Sequence, residues 1–267
     1  MTSDLGVIGN ISWDTVSYRE GPTNSFWGGA ALNISLSASY SGKKPMLISV
    51  VGTDASALVS EIENQIDITR VKISDGKTCH FEIRYSKNGI IEDVICDFGV
   101  ANLLDLHFHK LHIPLAHYHI CCRKPLSPAQ AIQRVFEKSF PFSLDFVLSS
   151  AQQQMMQVSM WIKHAKYVFV NFQEFEILRD IVDICDIKMM IVTSAGEPVR
   201  VLRSGHEVLC LSCPSKEFLD VTGAGDVFIG AFLASQLKGE DLHKSVDWAI
   251  RTAQQSLNCL GTLLFKQ

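Results

Sequence analysis

Apolar runs bounded by turn residues alternate with segments of helical period along most of the chain, a rhythm that predicts βαβ units around a largely parallel sheet. Leu5-Gly6-Val7-Ile8 is the first strand. After a loop, residues 29–41 carry small and apolar side chains at helical spacing and stop at Gly42, where a helix C-terminus favours glycine. A buried strand over 45–51, a helix over 55–65 and a strand over 69–73 follow. The pattern then changes. Residues 78–85 and 90–98 alternate polar and apolar positions around Ser86-Lys87-Asn88-Gly89, whose Asn-Gly pair signals a hairpin turn. An antiparallel hairpin inside a βαβ series leaves the main sheet, which predicts a small β lid. Alternation resumes with strands near 116–121, 143–147, 167–170 and 189–193 and helices near 128–138, 152–163 and 174–182. The segments 199–202 and 207–211 flank Ser204-Gly205 and read as a hairpin at the sheet edge. Helices over 228–237 and 242–257 close the chain. No repeat or linker divides it, so 1–267 reads as one doubly wound α/β domain flanked by helices, with a lid from parts of 11–27 and 76–98.

Composition narrows the classes of function. Hydrophobic residues make up 47% and charged residues 19% of 267, enough for a sizeable core. The net charge of −4, with Lys and Arg scattered, offers no footprint for nucleic acid. No stretch reaches the ~18 consecutive apolar residues of a membrane span. Met1-Thr2-Ser3-Asp4 lacks the basic start of a signal peptide, and a cytoplasmic protein is expected. The eight cysteines include one lone pair at C-x-x-C spacing, Cys210 and Cys213, and read as small residues kept reduced. His107, His109, His112, His117 and His119 crowd one region near Asp105 and Cys121, but complete no metal-ligand spacing; strand alternation explains 116–121 better.

Candidate chemistry lies at two places. In Asp220-Val221-Thr222-Gly223-Ala224-Gly225-Asp226-Val227-Phe228, a small-residue turn precedes an apolar helix. The free N–H groups and positive dipole end of such a helix bind phosphate, and Asp226 in the first turn can take a proton from a hydroxyl. An acidic residue there is equally a dipole-compatible helix start. Near the N-terminus, Asp14 follows the first strand, and Trp27-Gly28-Gly29-Ala30-Ala31-Leu32-Asn33 opens a helix. Asp14 and Asn33 together can grip vicinal hydroxyls, which suits a polyol. Taken singly, Asp14 is also an ordinary turn residue and Gly28-Gly29 a flexible helix entry.

These segments, with Val51-Gly52-Thr53-Asp54 and Asn171-Phe172-Gln173-Glu174 between them, resemble in order the motifs of the ribokinase/PfkB-like family of carbohydrate and nucleoside kinases. The resemblance implies a ribokinase-like α/β fold with a β lid over the acceptor and transfer of the γ-phosphoryl group of ATP to a hydroxyl, usually a primary alcohol. It implies Asp226 as general base and Gly223, Ala224 and Gly225 as anion hole. It implies Asp14, Gly28, Gly29 and Asn33 at the acceptor, and Thr193, Gly196, Thr222, Gly223 and Gly225 beside the nucleotide. It places Asn171 and Glu174 at Mg²⁺, largely through water, and Asp220 at a monovalent cation such as K⁺. The family's nucleotide-side Gly-x-x-Gly keeps only its first glycine in Gly196-Glu197-Pro198-Val199, so nucleotide preference is expected to differ if Val199 fills space there. Gly99-Val100-Ala101-Asn102-Leu103-Leu104 resembles the compact branch that includes fructosamine-type kinases. A plain sugar, an amino-sugar conjugate and a nucleoside are the acceptors in order of preference. His80, Glu82, Arg84 and Tyr85 are candidate lid-facing groups, half of which alternation turns inward. Arg84, Lys87 and Arg123 are candidate cations for a substrate phosphate. A catalytically silent sugar-binding or regulatory protein, or a kinase of a heterocyclic alcohol, shares the same loop. Lids of this family either pair or stay single, so the resemblance allows a homodimer through the lid as well as a monomer.

Overall fold

The computed structural model describes residues 3–19, 21–107, 113–194, 196–213 and 219–265. In chain order, β1 (Leu5–Ile8) is followed by β2 (Ser12–Tyr18), β3 (Thr23–Gly28), α1 (Ala30–Tyr40), β4 (Met46–Gly52), α2 (Ser56–Ile62) and β5 (Asp67–Ser74). Next come β6 (Cys79–Tyr85), β7 (Ile91–Asp97), α3 (Leu104–His107), β8 (His117–Cys122), α4 (Pro128–Glu137), β9 (Phe142–Phe146) and α5 (Ala151–Ile162). The chain continues with β10 (Tyr167–Asn171), α6 (Phe172–Arg179), β11 (Met190–Thr193), β12 (Val199–Arg203), β13 (His206–Leu211), α7 (Ala224–Leu237) and α8 (Leu242–Ser256).

Nine of the described strands form the main sheet, in the order β13-β12-β11-β10-β9-β8-β1-β4-β5. It is parallel from β5 to β11, and the expected hairpin β12–β13 closes one edge antiparallel. Because helices cover both faces, its inner strands are apolar on both sides: every residue of β4 and β8 is buried. Val7, Leu47, Phe169 and Ile191 face a core shared with α1, α7 and α8. Their neighbours Ile8, Ile48, Val168 and Val192 face the opposite core, shared with α4, α5 and α6. Helix α7 is buried from Val227 to Ser235 with almost no polar side, because it runs between α1 and α8. No helix among the described residues is long and apolar enough to cross a membrane.

Strand order reverses between β1 and β8, and the crevice above their carboxyl ends is where such sheets bind ligands. A second sheet, β3-β2-β6-β7, covers that end. It contains the expected hairpin β6–β7, together with β2 and β3, which fall in the 11–27 part of the expected lid although the hydrophobic pattern marks no strand there. Asp14 therefore sits on a lid strand and not in a turn at the end of the main sheet. The lid is pinned at its base. Asp54 accepts from the Thr78 hydroxyl at 2.6 Å and the Thr78 N–H at 3.0 Å, and Gly52 N–H donates to the Thr78 Oγ1 at 2.9 Å. Val51-Gly52-Thr53-Asp54 is thus the clasp between β4 and the start of β6.

Candidate active site

Asp226 lies in the first turn of α7, whose N-cap is Gly223 in the left-handed conformation at φ 75°. A β-carbon at Gly223 would collide with the amide nitrogen of Asn33, so only glycine lets the turn approach α1 here. No side chain among the described residues caps the helix, which leaves its N-terminal N–H groups for an outside acceptor. Ala224 N–H turns back to Val221 O at 3.3 Å, whereas Gly225 faces open space. Asn33 Nδ2 lies 3.4 Å from Asp226 Oδ2, and Arg123 Nη2 lies 3.3 Å from Asp226 Oδ1. Burial raises the Asp226 carboxyl above the usual range, Arg123 opposes the rise, and Asp145 adds to it.

Across the crevice, Asp14 is buried against Gly28, where a β-carbon would collide with its Oδ2. Burial pushes its carboxyl up to about 7, with Ser12 and the Gly29 N–H opposing and the Asp226 charge adding. Its Oδ1 is buried without a partner among the described residues. The predicted Asp14, Gly28, Gly29, Asn33, Gly223 and Asp226 are thus brought together. In the lid register, Asp14 stands opposite Phe26 on β3 and Phe81 on β6, and directly paired residues share a face. Tyr85 and Ile83 belong to that face by alternation, and Phe98 packs edge-on against Phe81 at 6.3 Å. His80, Glu82 and Arg84 occupy the opposite face. The lid face that holds Asp14 is therefore aromatic, and Arg84, a candidate cation for a substrate phosphate, stands on the other face.

Tyr18 is a participant the loop reading misses. Its hydroxyl donates to Asp220 Oδ1 at 3.0 Å and accepts from Val221 N–H at 2.9 Å, and its ring stacks on Tyr85 at 5.1 Å. Thr222 Oγ1 donates to the Tyr85 hydroxyl at 3.2 Å. Two stacked lid tyrosines thus hold the anion turn. Asp220 also accepts from Thr222 N–H at 2.9 Å and Gly261 N–H at 3.2 Å, so its burial rests on three protein donors.

Asn171 and Thr193, which the resemblance puts beside Mg²⁺ and the nucleotide, are direct partners at the ends of β10 and β11. Asn171 and Glu174 form a reciprocal capping box on α6, each side chain accepting from the other's N–H at 2.8 Å. Glu174 is buried, and burial pushes its carboxyl up to about 7, opposed by the Asn171 N–H and Arg123. Gly196 follows at φ 75° with open space around it. Val199 does not fill the nucleotide loop: it pairs with Leu211 in β12–β13 and is 3% exposed in the core.

Beneath Asp226 runs a buried polar ladder that motif reasoning does not reveal. Arg123, just past β8, pairs with Asp145 Oδ2, and His119 Nε2 lies 3.1 Å from Asp145 Oδ1. Ser143 Oγ bridges His119 Nδ1 and His117 Nε2, at 2.8 Å each. Arg123 holds the Asp145 carboxyl below the usual range against a large burial effect, and burial pushes His117 down to about 3. His119, Cys121 and Asp145 approach one another, yet both ring nitrogens of His119 and both oxygens of Asp145 already meet protein partners. The histidine run is therefore strand alternation in part, while His109 and His112 lie outside the described residues.

A family model described as pfkB family carbohydrate kinase matches residues 7–266. A cytidine kinase of Thermococcus kodakarensis is 26% identical over 97% of this chain and 97% of its own length. A solved nucleoside kinase of Burkholderia thailandensis, in complex with inosine, is similar with a TM-score of 0.85 at 16% identity, covering 98% of this chain and 94% of that one. A ribokinase of Cryptococcus neoformans in complex with ADP gives a TM-score of 0.78 at 16% identity, over 99% and 96% of the two chains. At those identities the two structures establish the fold.

Proposed function

Because the chain belongs to the pfkB family of carbohydrate kinases, we propose that this phosphotransferase moves the γ-phosphoryl group of ATP to a primary hydroxyl of a sugar-derived small molecule, with nucleosides as the preferred acceptors. The observation that carries the reading is the position of Asp226. It stands at an uncapped helix N-terminus, between the anion turn and the hydroxyl-gripping pair Asp14 and Asn33.

In this reading Asp14 and Asn33 hold the sugar hydroxyls, and Asp226 accepts the proton of the attacking hydroxyl. A new O–P bond forms as the P–O bond to ADP breaks. The N–H groups of Gly223, Ala224 and Gly225 stabilise the charge that shifts among the phosphoryl oxygens. Thr193, Gly196 and Thr222 line the nucleotide side. The donor set at Asn171 and Glu174 suits magnesium: it is all oxygen, and Glu174 Oε1 takes no part in the capping box. Bound there, Mg²⁺ supplies positive charge to the phosphates.

Support for a nucleoside comes from the lid. Phe26, Phe81 and Tyr85 stand on the lid face that holds Asp14, with Phe98 packed against Phe81, an aromatic surface that suits a flat base, whereas a sugar phosphate needs a cation that this lid face lacks. The cytidine kinase relative points the same way. A plain sugar is the second reading, favoured by Asp14 and Asn33 alone. An ADP-release assay over nucleosides and sugars separates the two. Nucleosides are expected to give the highest kcat/KM, and a plain hexose in first place refutes the preference. Asp226→Asn is expected to lose ~10²–10⁴-fold in turnover while still binding acceptor, and near-normal turnover refutes its role as base.

A further inference from the structure

Arg123 presents a guanidinium to Asp226 but is anchored elsewhere. Its Nη2 pairs with Asp145 and reaches Asp226 Oδ1 at 3.3 Å and Phe146 O at 3.5 Å. Its Nε is buried with no partner among the described residues, an unspent donor on a cation. Asp145 is 2% exposed and is itself held by His119, which Ser143 ties to His117. A ladder this deep fixes Asp145 in place, and Asp145 fixes the guanidinium. The guanidinium, whose side chain is 20% exposed, reaches Asp226 in the first turn of α7, where a planar fork suits phosphoryl oxygens.

On the kinase reading above, we propose that Arg123 is a catalytic residue positioned by Asp145: it pairs with Asp226 and donates from its remaining guanidinium N–H groups to the transferred phosphoryl group. As the acceptor O–P bond forms and the bond to ADP breaks, the acceptor proton passes to Asp226, and Arg123 keeps all of its own. The charge on the phosphoryl oxygens then meets a cation that the fold has already oriented.

Other titratable groups face Asp226 too. They are Asp14 on β2, Tyr85 on β6, His119 and Cys121 on β8, Asp145 on β9 and Glu174 on α6. Among these surroundings Arg123 and Asp145 act on the base with opposite sign, the first favouring its carboxylate and the second disfavouring it.

The test compares Arg123→Met, Arg123→Lys and Asp145→Asn in the full chain. It measures kcat and KM, the pH profile of kcat/KM and thermal unfolding, with ATP, Mg²⁺ and the best acceptor of the panel. Arg123→Met is expected to lower kcat by ~10²–10³-fold with a smaller change in acceptor KM. Its acid limb moves to higher pH, because the cation that favours ionised Asp226 is gone. Arg123→Lys is expected to restore most of the acid limb but little of kcat, since it returns charge without the fork. Asp145→Asn is expected to lower kcat by roughly tenfold or more and to move the acid limb the other way, to lower pH. The proposal is overturned if kcat per folded molecule stays within about threefold of wild type in Arg123→Lys and Asp145→Asn, or if the limbs of Arg123→Met and Asp145→Asn move together. Should Arg123→Met fail to fold, those two variants still decide. If Asp226→Asn also keeps its turnover, the kinase reading of the site has failed; if Asp226→Asn is inactive while Arg123 variants are not, only this inference has.

Discussion

Asp14 makes a stability prediction that runs against ordinary expectation for an active-site substitution. The carboxyl is 4% exposed, one of its oxygens has no partner among the described residues, and burial raises it from 3.8 to about 7. Each pH unit of such a rise is worth about 1.4 kcal/mol, so ionised Asp14 costs the fold about 4 kcal/mol above pH 7. The sign follows from the order of the two titrations. The unfolded chain loses the proton near pH 4 and the folded chain near pH 7, so stability is fully present below pH 4 and falls as pH rises between them. Asp14→Asn removes the titration yet keeps an oxygen for the Gly29 N–H. The variant is therefore expected to be more stable than wild type at pH 8 by up to about 4 kcal/mol, on the order of 10 °C in melting temperature for a chain this size. The gap should shrink steadily toward pH 4. Thermal and urea unfolding from pH 4 to 8 measure it, and the same variant should bind the acceptor more weakly. A gap of constant size between pH 5 and 8, or a variant less stable than wild type at pH 8, would refute the claim that Asp14 is held at the expense of folding.

Two further substitutions probe geometry and charge separately. Gly223→Ala places a side chain at φ 75° and against Asn33, and is expected to destabilise by about 1–2 kcal/mol and to cut turnover by about tenfold or more; a lowered melting temperature with normal kcat would show that the Asn33 contact with Asp226 is dispensable. Glu174→Gln keeps an acceptor for the Asn171 N–H but removes the charge, so half-saturating Mg²⁺ in the ADP-release assay is expected to rise by ~10–100-fold with no loss of stability at pH 8; reduced stability with unchanged Mg²⁺ dependence would make Glu174 a helix cap alone.

What could be read from the chain follows from how each element is buried. Strands covered on both faces, such as β4 and β10, appear as continuous apolar runs, and the helices between them stop at glycines or after one buried stripe. Strand β2 escapes because its inward positions include Ser12 and Asp14, polar residues turned toward a ligand side instead of a core. The lid's period is present in Ser12–Tyr18, but hydrophobicity is the wrong property with which to see it. Asp54 shows the reverse case: its motif is legible, but its work as a clasp on Thr78 needs the fold. The ladder under Asp226 was hidden for a different reason. Arg123 and Asp145 meet because β8 and β9 pair in parallel with Cys121 opposite Asp145, and Arg123 meets Asp226 across 103 positions. No local spacing encodes such a contact. The spacing of Asn171 and Glu174 is local, and the capping box it makes is the part of that motif the fold displays.

The carboxylates of the crevice differ in a way that fits their proposed roles. Burial raises Asp14, Glu174 and Asp226, while Asp145, the most deeply placed, is lowered. The difference is Arg123, which pairs closely with Asp145 and only approaches Asp226, at 3.3 Å. A guanidinium shared equally would hold both carboxylates as spectators. Shared unevenly, it leaves Asp145 ionised as a fixed anchor and Asp226 with enough basicity to accept a proton, yet near enough to a positive charge to begin the reaction without one. His119 on β8, itself held by Ser143, fixes Asp145 on β9, while Asn33 on α1 meets Asp226. On the proposed reading, environments that drive neighbouring carboxyls apart would let one crevice grip a hydroxyl with one carboxyl and pass its proton to another.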